Sequence, residues 1–180
     1  MPEIIGRKQE MQELQRCFNS AEAEFVVVYG RRRVGKTYLI REFFHQKFCF
    51  QLTGMYNQPK KVQHSNFAVT LERYSGEHRS LPSDWMEAFN QLRDYIESLP
   101  QEGKKVIFID EMPWLDTRQS NFVGALEWFW NGWGAGRNDL MLIACGSATS
   151  WITDKLFADK GGLFNRTTSR IYLHPFTLNE

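Results

Sequence analysis

One stretch of eight residues constrains the fold of this chain more than any other. Residues 30–37 read GRRRVGKT and match the pattern G-x-x-x-x-G-K-[ST] at every fixed position. An apolar, β-branched run at 25–29 precedes the stretch and predicts a buried strand, and apolar residues at helical spacing follow it at 38–44. A strand, a glycine-containing loop and a helix are the arrangement that a phosphate-binding loop requires. The sequence therefore predicts an α/β fold with a phosphate site after this strand.

The fixed residues of the loop have separate expected roles. Gly30 and Gly35 have no Cβ, so successive backbone N–H groups can turn around phosphate oxygens. Lys36 is expected to lie between the β- and γ-phosphates, and Thr37 to offer its hydroxyl to Mg²⁺. The first turn of the following helix would add unpaired N–H groups and the positive end of its dipole.

Five neighbouring residues are also expected to contact the nucleotide, namely Arg31, Arg32, Arg33, Val34 and Tyr38. Two interpretations of the three arginines remain open. They could meet the phosphates of a nucleic acid, or they could contact the nucleotide and solvent locally. Their place inside the loop favours the local contact.

A second informative stretch, residues 104–111, reads KKVIFIDE. Its four consecutive apolar residues predict a strand buried on both faces, as in a parallel sheet. Ligands of open α/β sheets lie beyond the carboxyl ends of the strands, so Asp110 is expected to face the loop. Asp110 would bind Mg²⁺ through water, and Glu111 would orient and deprotonate an attacking water. Alone, this pair could equally be a cap or a turn; with the loop, it favours hydrolysis over phosphoryl transfer to a small substrate.

The rest of the chain alternates predicted helices and strands. Strands are expected at 48–54, 140–147 and 171–176, and helices around 11–18 and at 62–73, 85–96 and 121–133. Ser83 is expected to cap the third of these helices, whose apolar stripe, including Met86, should face the core. In the fourth helix Trp128 and Trp130 lie off the apolar face, so they are expected either to pack or to mark a partner surface.

Composition limits the function classes only weakly. A chain of 180 residues with 42% hydrophobic residues is about one domain long. The net charge of +1 gives no electrostatic case for nucleic acid or for a membrane. The three cysteines are odd in number and widely spaced, which is typical of buried thiols in a reducing compartment. No signal peptide or membrane-length apolar stretch is visible, so a cytoplasmic location is expected.

Five segments together carry a family resemblance: residues 5–10, 29–37, 108–111, 145–147 and 165–176. In this order they resemble the archaeal-type P-loop ATPases, a branch of the ASCE P-loop NTPases that is close to STAND and AAA+ proteins. The resemblance implies a three-layer α/β/α core around a parallel sheet of about five strands, with the strand of the loop in the centre. It also implies that MgATP is the ligand.

The resemblance adds candidate residues outside the loop. Ile5, Gly6 and Arg7 would lie against the adenine and ribose, although the same segment is also typical of the plain start of a helix. Ser147, or alternatively Thr149, would sense the γ-phosphate; a helix cap explains Ser147 equally well. Arg166, with Arg170 as second choice, would contact the γ-phosphate of its own or of a neighbouring subunit's nucleotide. A solvent-facing arginine is the alternative.

The resemblance covers almost the whole chain, so residues 1–180 are expected to form a single ATPase domain with an adenine-side segment at 1–20. Members of the family usually continue into a helical lid and a winged-helix region, often followed by a nuclease-like domain. This chain ends at Glu180, shortly after the last predicted strand, so an ATPase core without these parts is expected.

The function expected first is a Mg²⁺-dependent, ATP-hydrolysing switch module of a larger protein, with ATP and ADP as ligands and self-association through an arginine acting in trans. The alternative is a nucleotide-dependent binding module for DNA or a protein partner, with little turnover of its own. A third and weaker interpretation is a P-loop kinase for a small metabolite.

Overall fold

In the computed structural model, five parallel strands form one sheet in the order β2-β3-β4-β1-β5. The structure describes residues 3–158 and 160–178, so residues 1 and 2 of the expected adenine-side segment lie outside it. The strands are β1 Glu24–Tyr29, β2 Phe50–Thr53, β3 Lys105–Asp110, β4 Leu140–Gly146 and β5 Ser169–Tyr172.

The helices are α1 Lys8–Asn19, α2 Lys36–Phe43, α3 Lys60–Ser75, α4 Trp85–Ser98, α5 Phe122–Gly132 and α6 Thr149–Ile152. Short 3₁₀ turns span Met112–Leu115 and Gly134–Gly136, and a π-helical turn spans Thr153–Phe157. The predicted helices and the first four predicted strands are present, with ends shifted by a few residues.

Both faces of the sheet are covered, as the sequence predicted. Alternate residues of a strand point to opposite faces. On one face Phe25 and Val27 of β1 pack with α3, α4, α5 and α6, and on the other Val26 and Val28 pack with α1 and α2. All six residues of β3 are buried, because a strand covered on both faces has no solvent side. The result is the expected three-layer α/β/α architecture.

The strand order places the carboxyl ends of β1 and β3 at the same edge of the sheet, with β4 between them. The middle strand is therefore β4, and the expectation that the strand of the loop is the central one is wrong. β1 is still paired on both sides, with β4 and with β5. The loop consequently starts from a rigid, fully paired strand.

Two local predictions need correction. The last strand ends at Tyr172. The Leu173 N–H still donates to the Tyr29 carbonyl, and residues 174–176 then leave the sheet, because its partner β1 ends at Tyr29. α4 is capped by Asp84, whose side chain accepts a hydrogen bond from the Glu87 N–H (2.8 Å), while Ser83 donates to the Glu87 carboxylate.

The structure also settles the burial of two side chains for which the sequence predicted a different burial or left it open. Met86 is 41% exposed, whereas the other apolar residues of the α4 stripe are buried. Trp130 is buried against Phe25, so it cannot mark a partner surface, while Trp128 is 42% exposed. Packing determines how each helix is rotated about its axis, and the spacing of apolar residues predicts this rotation only approximately.

The cysteines are free thiols: Cys17 and Cys145 are buried and Cys49 is half-buried. Burial raises the pKa of the Cys49 thiol to about 12, which keeps it protonated and unreactive. Among residues 3–158 and 160–178, no helix is long and apolar enough to cross a membrane.

Candidate functional site

The loop between β1 and α2 depends on its two glycines for different reasons. Gly30 has a φ of 142°, and a Cβ there would lie 2.5 Å from the carbonyl oxygen of Leu173. Gly35 has a φ of 93° and precedes the first residue of α2, and a Cβ there would meet no other atom within 4 Å. Gly30 is thus required by the packing of the strand end, and Gly35 by its backbone conformation and the space beside it.

Lys36 is the first residue of α2 and is 6% exposed. Its Nζ donates to the carbonyl oxygens of Gly30 (3.0 Å) and Arg31 (2.6 Å). An ammonium group has three donors, so one N–H remains for a ligand. The ammonium is therefore held against the main chain of the loop.

Thr37 and Asp110 meet although 73 residues separate them in the sequence. The Thr37 hydroxyl donates to Asp110 Oδ2 (2.8 Å), and Asp110 Oδ1 accepts the N–H of Glu111 (2.9 Å). Asp110 is 3% exposed. Hydroxyl and carboxylate oxygens are the ligands that Mg²⁺ prefers, so this pair fits the ion that the sequence predicted.

Glu111 follows β3 in a left-handed conformation, with a φ of 50°. Its Oε2 is buried and has no hydrogen-bond partner within the described residues. Burial and the neighbouring Asp110 carboxylate raise the pKa of Glu111, while Lys36 and Arg32 oppose the rise. A buried carboxylate oxygen without a protein partner is free to accept a hydrogen bond from a ligand or a water.

Two adjacent clefts lie around the loop. The polar cleft, of about 460 Å³, is lined by Arg32, Arg33, Gly35, Lys36, Thr37, Tyr38, Glu111 and Trp114. The apolar cleft, of about 320 Å³, is lined by Glu3, Ile4, Ile5, Arg7, Val34, Gly35, Tyr38, Leu39 and Phe176. Gly35 and Tyr38 border both. A polar end beside an apolar end matches a nucleotide, whose phosphates are charged and whose base has apolar faces.

Arg7 lines the apolar cleft and contacts the segments on either side of it. It is 4% exposed, and its guanidinium donates to the carbonyl oxygens of Val34 (3.3 Å) and His174 (2.7 Å). Its Cζ lies 4.1 Å from the centre of the Phe176 ring, and Glu10 pairs with it at 3.5 Å. The donors of Arg7 thus hold the walls of the cleft together.

Among the other predicted contacts, Gly6 borders a different surface depression and does not line the apolar cleft. The side chain of Arg31 lines neither of the two clefts, although its carbonyl holds Lys36. Ser147 follows β4 at the correct edge of the sheet but does not line the polar cleft. The helix-cap interpretation of Ser147 is wrong, since Ala148 occupies the cap position of α6.

Arg166 lies far from the loop of its own chain. It precedes the amino end of β5, where the Thr168 N–H donates to the Phe25 carbonyl, whereas the loop follows the carboxyl end of β1. Ser169 and Leu173, which lies beside the loop, are four positions apart along the chain, roughly 13 Å of extended backbone. This placement favours a contact with a neighbouring subunit's nucleotide or a solvent-facing position over a contact within its own subunit, and Arg166 is exposed. Arg170 is also exposed on β5, with its Cζ 3.9 Å from the centre of the Phe157 ring.

Sequence reasoning missed the aromatic shelf, which consists of Tyr56 and Trp114. The two rings meet edge to face with centres 5.3 Å apart, and Arg32 lies 5.9 Å and 5.8 Å from their centres. Trp114 comes three residues after Glu111, a position that could have been noticed. Tyr56 stands in a segment without apolar periodicity, so nothing local indicated it.

Comparisons with known proteins agree with this geometry. A family model described as an ATPase domain predominantly from Archaea matches residues 4–180. An uncharacterised protein of Methanocaldococcus jannaschii is 28% identical over 175 residues, which are 96% of this chain and 36% of that protein.

Two solved structures share the fold. A Walker-type ATPase of Pyrococcus abyssi superposes with a TM-score of 0.66 at 19% identity, covering 98% of this chain and 55% of its own. The structure of Drosophila ORC bound to DNA superposes with a TM-score of 0.63 at 16% identity, covering 95% of this chain and 42% of the other. The chain thus spans about a third to about half of the length of these proteins.

Proposed function

The chain belongs to the family of ATPase domains that come predominantly from Archaea, and from this premise we propose that it is a Mg²⁺-dependent, ATP-hydrolysing switch module of a larger protein. The observation that supports the proposal most is that the polar and apolar clefts share Gly35 and Tyr38 at the loop. The polar cleft brings together Lys36, Thr37 and Glu111, with Asp110 bonded to Thr37.

ATP binding is proposed to use both clefts. The adenine lies in the apolar cleft between Ile5 and Phe176, and the phosphates lie in the polar cleft. The N–H groups of the loop and the first turn of α2 contact the phosphate oxygens, and Lys36 offers its remaining donor. Thr37 and Asp110 would hold Mg²⁺, which neutralises phosphate charge when bound.

Hydrolysis is proposed to begin with a water that donates a hydrogen bond to the buried Oε2 of Glu111. Glu111 orients this water and takes its proton as the water oxygen bonds to the γ-phosphorus. The bond to the β,γ-bridging oxygen breaks, and its electron pair leaves with ADP. Lys36 stabilises the charge on the phosphate oxygens during this step.

The switch role is supported by main-chain contacts of Glu111 with the segment that follows β2 and with the turn that carries Trp114. Gly54, after β2, approaches so closely that a Cβ there would lie 2.4 Å from the Glu111 carbonyl oxygen. The Glu111 carbonyl also accepts the N–H of Trp114 (3.0 Å). A movement of Glu111 between the ATP and ADP states would therefore move the segments that begin at these two residues.

The test compares the unaltered chain with Lys36→Ala and Glu111→Gln in the presence of Mg²⁺. Lys36→Ala should lose most ATP binding, measured by calorimetry, because the phosphate charge is no longer matched. Glu111→Gln should bind ATP normally but hydrolyse it about 10²–10⁴ times more slowly, the usual contribution of a general base. Unchanged turnover in Glu111→Gln would contradict the hydrolytic route.

A second candidate is a nucleotide-dependent binding module with little turnover. The exposed Trp128 on α5, beside a small pocket lined by Arg93 and Trp133, favours a protein partner. The likeness to Drosophila ORC bound to DNA favours a DNA partner. ATP-dependent binding of a labelled DNA duplex, or ATP-dependent association detected by light scattering, together with negligible turnover would favour this candidate. A neighbour's Arg166 could then complete the site in trans.

A further inference from the structure

The polar cleft contains a cation whose role the loop motif does not define. Arg32 lines this cleft together with Lys36 and Glu111. No carboxylate lies within ion-pair distance of Arg32 in the part of the chain that the structure describes, unlike Arg7 or Arg16. Its charge is therefore available to a ligand of the cleft.

Arg32 also has a defined position despite its exposure. Its Cζ lies 5.8 Å from the centre of the Trp114 ring and 5.9 Å from that of Tyr56, within the distance at which a cation is attracted to an aromatic face. The rings support each other through their edge-to-face contact. The aromatic shelf therefore restricts the directions in which the guanidinium can point.

A fully buried glutamine fixes the two halves of the shelf. Gln63 is 0% exposed and donates to the carbonyl oxygens of Met55 (2.7 Å) and Trp114 (3.1 Å), while its Oε1 accepts the Met55 N–H (3.1 Å). These bonds join the segment that carries Tyr56 to the turn that carries Trp114. Because Trp114 also bonds the Glu111 carbonyl, the shelf is positioned relative to the proposed base.

We propose that Arg32 is a catalytic cation acting within its own chain, which stabilises the negative charge that develops on the γ-phosphoryl oxygens during hydrolysis. Tyr56 and Trp114 are positioning residues for it. The proposal rests on the proposed ATPase function and deepens it. Arg32 adds two or more donors to the outer phosphate oxygens, while Glu111 takes the proton of the water and ADP takes the electron pair of the broken bond.

This assignment differs from an arginine supplied in trans. Arg166 precedes the amino end of β5, at the opposite edge of the sheet from the loop, so a role for it in trans would need a neighbouring molecule. Arg32 needs no neighbour. Turnover per molecule of the unaltered chain should therefore be independent of protein concentration.

The test uses Arg32→Ala and Arg32→Lys, with Lys61→Ala as a matched control. Lys61 is an exposed cation of α3 that lines neither cleft, so its removal changes the net charge equally. Arg32→Ala should lower kcat about a hundredfold, the usual effect of losing one donor to a transition state, and should change ADP affinity less than threefold. Arg32→Lys should recover only part of the rate, because it loses the planar fork.

A second measurement does not depend on turnover. The unaltered chain and Lys61→Ala should retain ADP in a stable complex with aluminium fluoride and Mg²⁺, which imitates the transferring phosphoryl group, and Arg32→Ala should not. Tyr56→Leu should lower kcat about tenfold at unchanged KM, and Tyr56→Phe should keep the normal rate because it keeps the ring.

The possible outcomes distinguish a failure of the Arg32 role from a failure of the proposed ATPase function. Normal kcat and normal aluminium fluoride trapping in Arg32→Ala, with Lys36-dependent turnover intact, would overturn the role of Arg32 and leave the ATPase function standing. A rate that rises with protein concentration and is lost in Arg166→Ala would also overturn it. Absence of Lys36-dependent turnover in the unaltered chain would overturn the ATPase function and the Arg32 role together.

Discussion

At the scale of single residues, the two glycines of the loop differ in what surrounds them. Gly30 is surrounded by protein: a Cβ would meet the Leu173 carbonyl at 2.5 Å, and the φ of 142° is closed to other residues. Gly35 has open space around it and borders both clefts. Gly30 is therefore required by packing, whereas the open space beside Gly35 leaves room for a ligand.

Alanine at these two positions should have different effects. Gly30→Ala should lower the free energy of unfolding by about 3 kcal/mol, from backbone strain and the clash with Leu173. Gly35→Ala should cost only about 1–2 kcal/mol, since the left-handed conformation alone is penalised. Gly35→Ala should nevertheless bind ATP poorly, because it adds a methyl group at a residue that borders both clefts. Urea unfolding and calorimetric titration check both statements, and equal losses of stability would contradict them.

At the scale of elements, α1 is fixed to the edge strand β5 by a carboxylate. Glu13 accepts hydrogen bonds from Arg16 (2.7 and 3.0 Å) on its own helix and from the Ser169 hydroxyl (2.7 Å) on β5. The bonds from Arg16 and then Ser169 lower the pKa of Glu13 from 4.5 to about 2. This contact holds α1 against the sheet.

The lowered pKa gives a pH dependence with a definite sign. The folded state holds the ionised Glu13 more strongly than the unfolded state does, so its contribution is fully present above pH 4.5 and is lost as the pH falls towards 2. Glu13→Gln should therefore lower the free energy of unfolding by about 0.5–1 kcal/mol at pH 7, a value reduced by solvent screening.

The difference between Glu13→Gln and the unaltered chain should shrink steadily between pH 5 and pH 3 in urea unfolding curves. Glu22→Gln is the matched control, because Glu22 is exposed and makes no ion pair within the described residues. A difference that stays constant across this range would show that the charge of Glu13 does not stabilise the contact.

At the scale of the whole molecule, Arg7 connects segments from both ends of the described chain. It bonds the loop through the Val34 carbonyl and the C-terminal segment through the His174 carbonyl, and it lies over the Phe176 ring. Its own helix α1 starts at the next residue. The apolar cleft is thus formed by three parts of the sequence that one guanidinium holds together.

Arg7→Ala should open this cleft and lower the free energy of unfolding by about 1.5–3 kcal/mol, since hydrogen bonds from a buried charged donor are lost. ATP affinity should fall about tenfold, because the apolar cleft proposed for the adenine loses the contacts of Arg7 with Val34, His174 and Phe176. Hydrogen exchange should accelerate at residues 3–8 and 173–178 and stay unchanged in β1. Lys8→Ala, which removes an exposed neighbouring cation, should change none of these quantities.

Much of the fold around the loop could be predicted from the sequence alone, because the relevant sequence patterns are local. The loop motif, the buried run before it and the helix after it are contiguous, so the strand, the loop and the helix could be predicted from residues 25–44. The apolar run that ends in Asp110 and Glu111 placed a carboxylate pair at a strand end, and the structure bonds Asp110 to Thr37.

Only the tertiary structure decided which of the remaining candidates meet. The strand order put β4 in the middle of the sheet and Arg166 at the edge opposite the loop, and neither follows from local periodicity. The aromatic shelf joins residues 56 and 114 through Gln63, and Arg7 bonds across 167 positions to His174. Such contacts depend on how elements pack, which is a property of the whole chain, whereas strands, turns and helix starts depend on neighbouring residues.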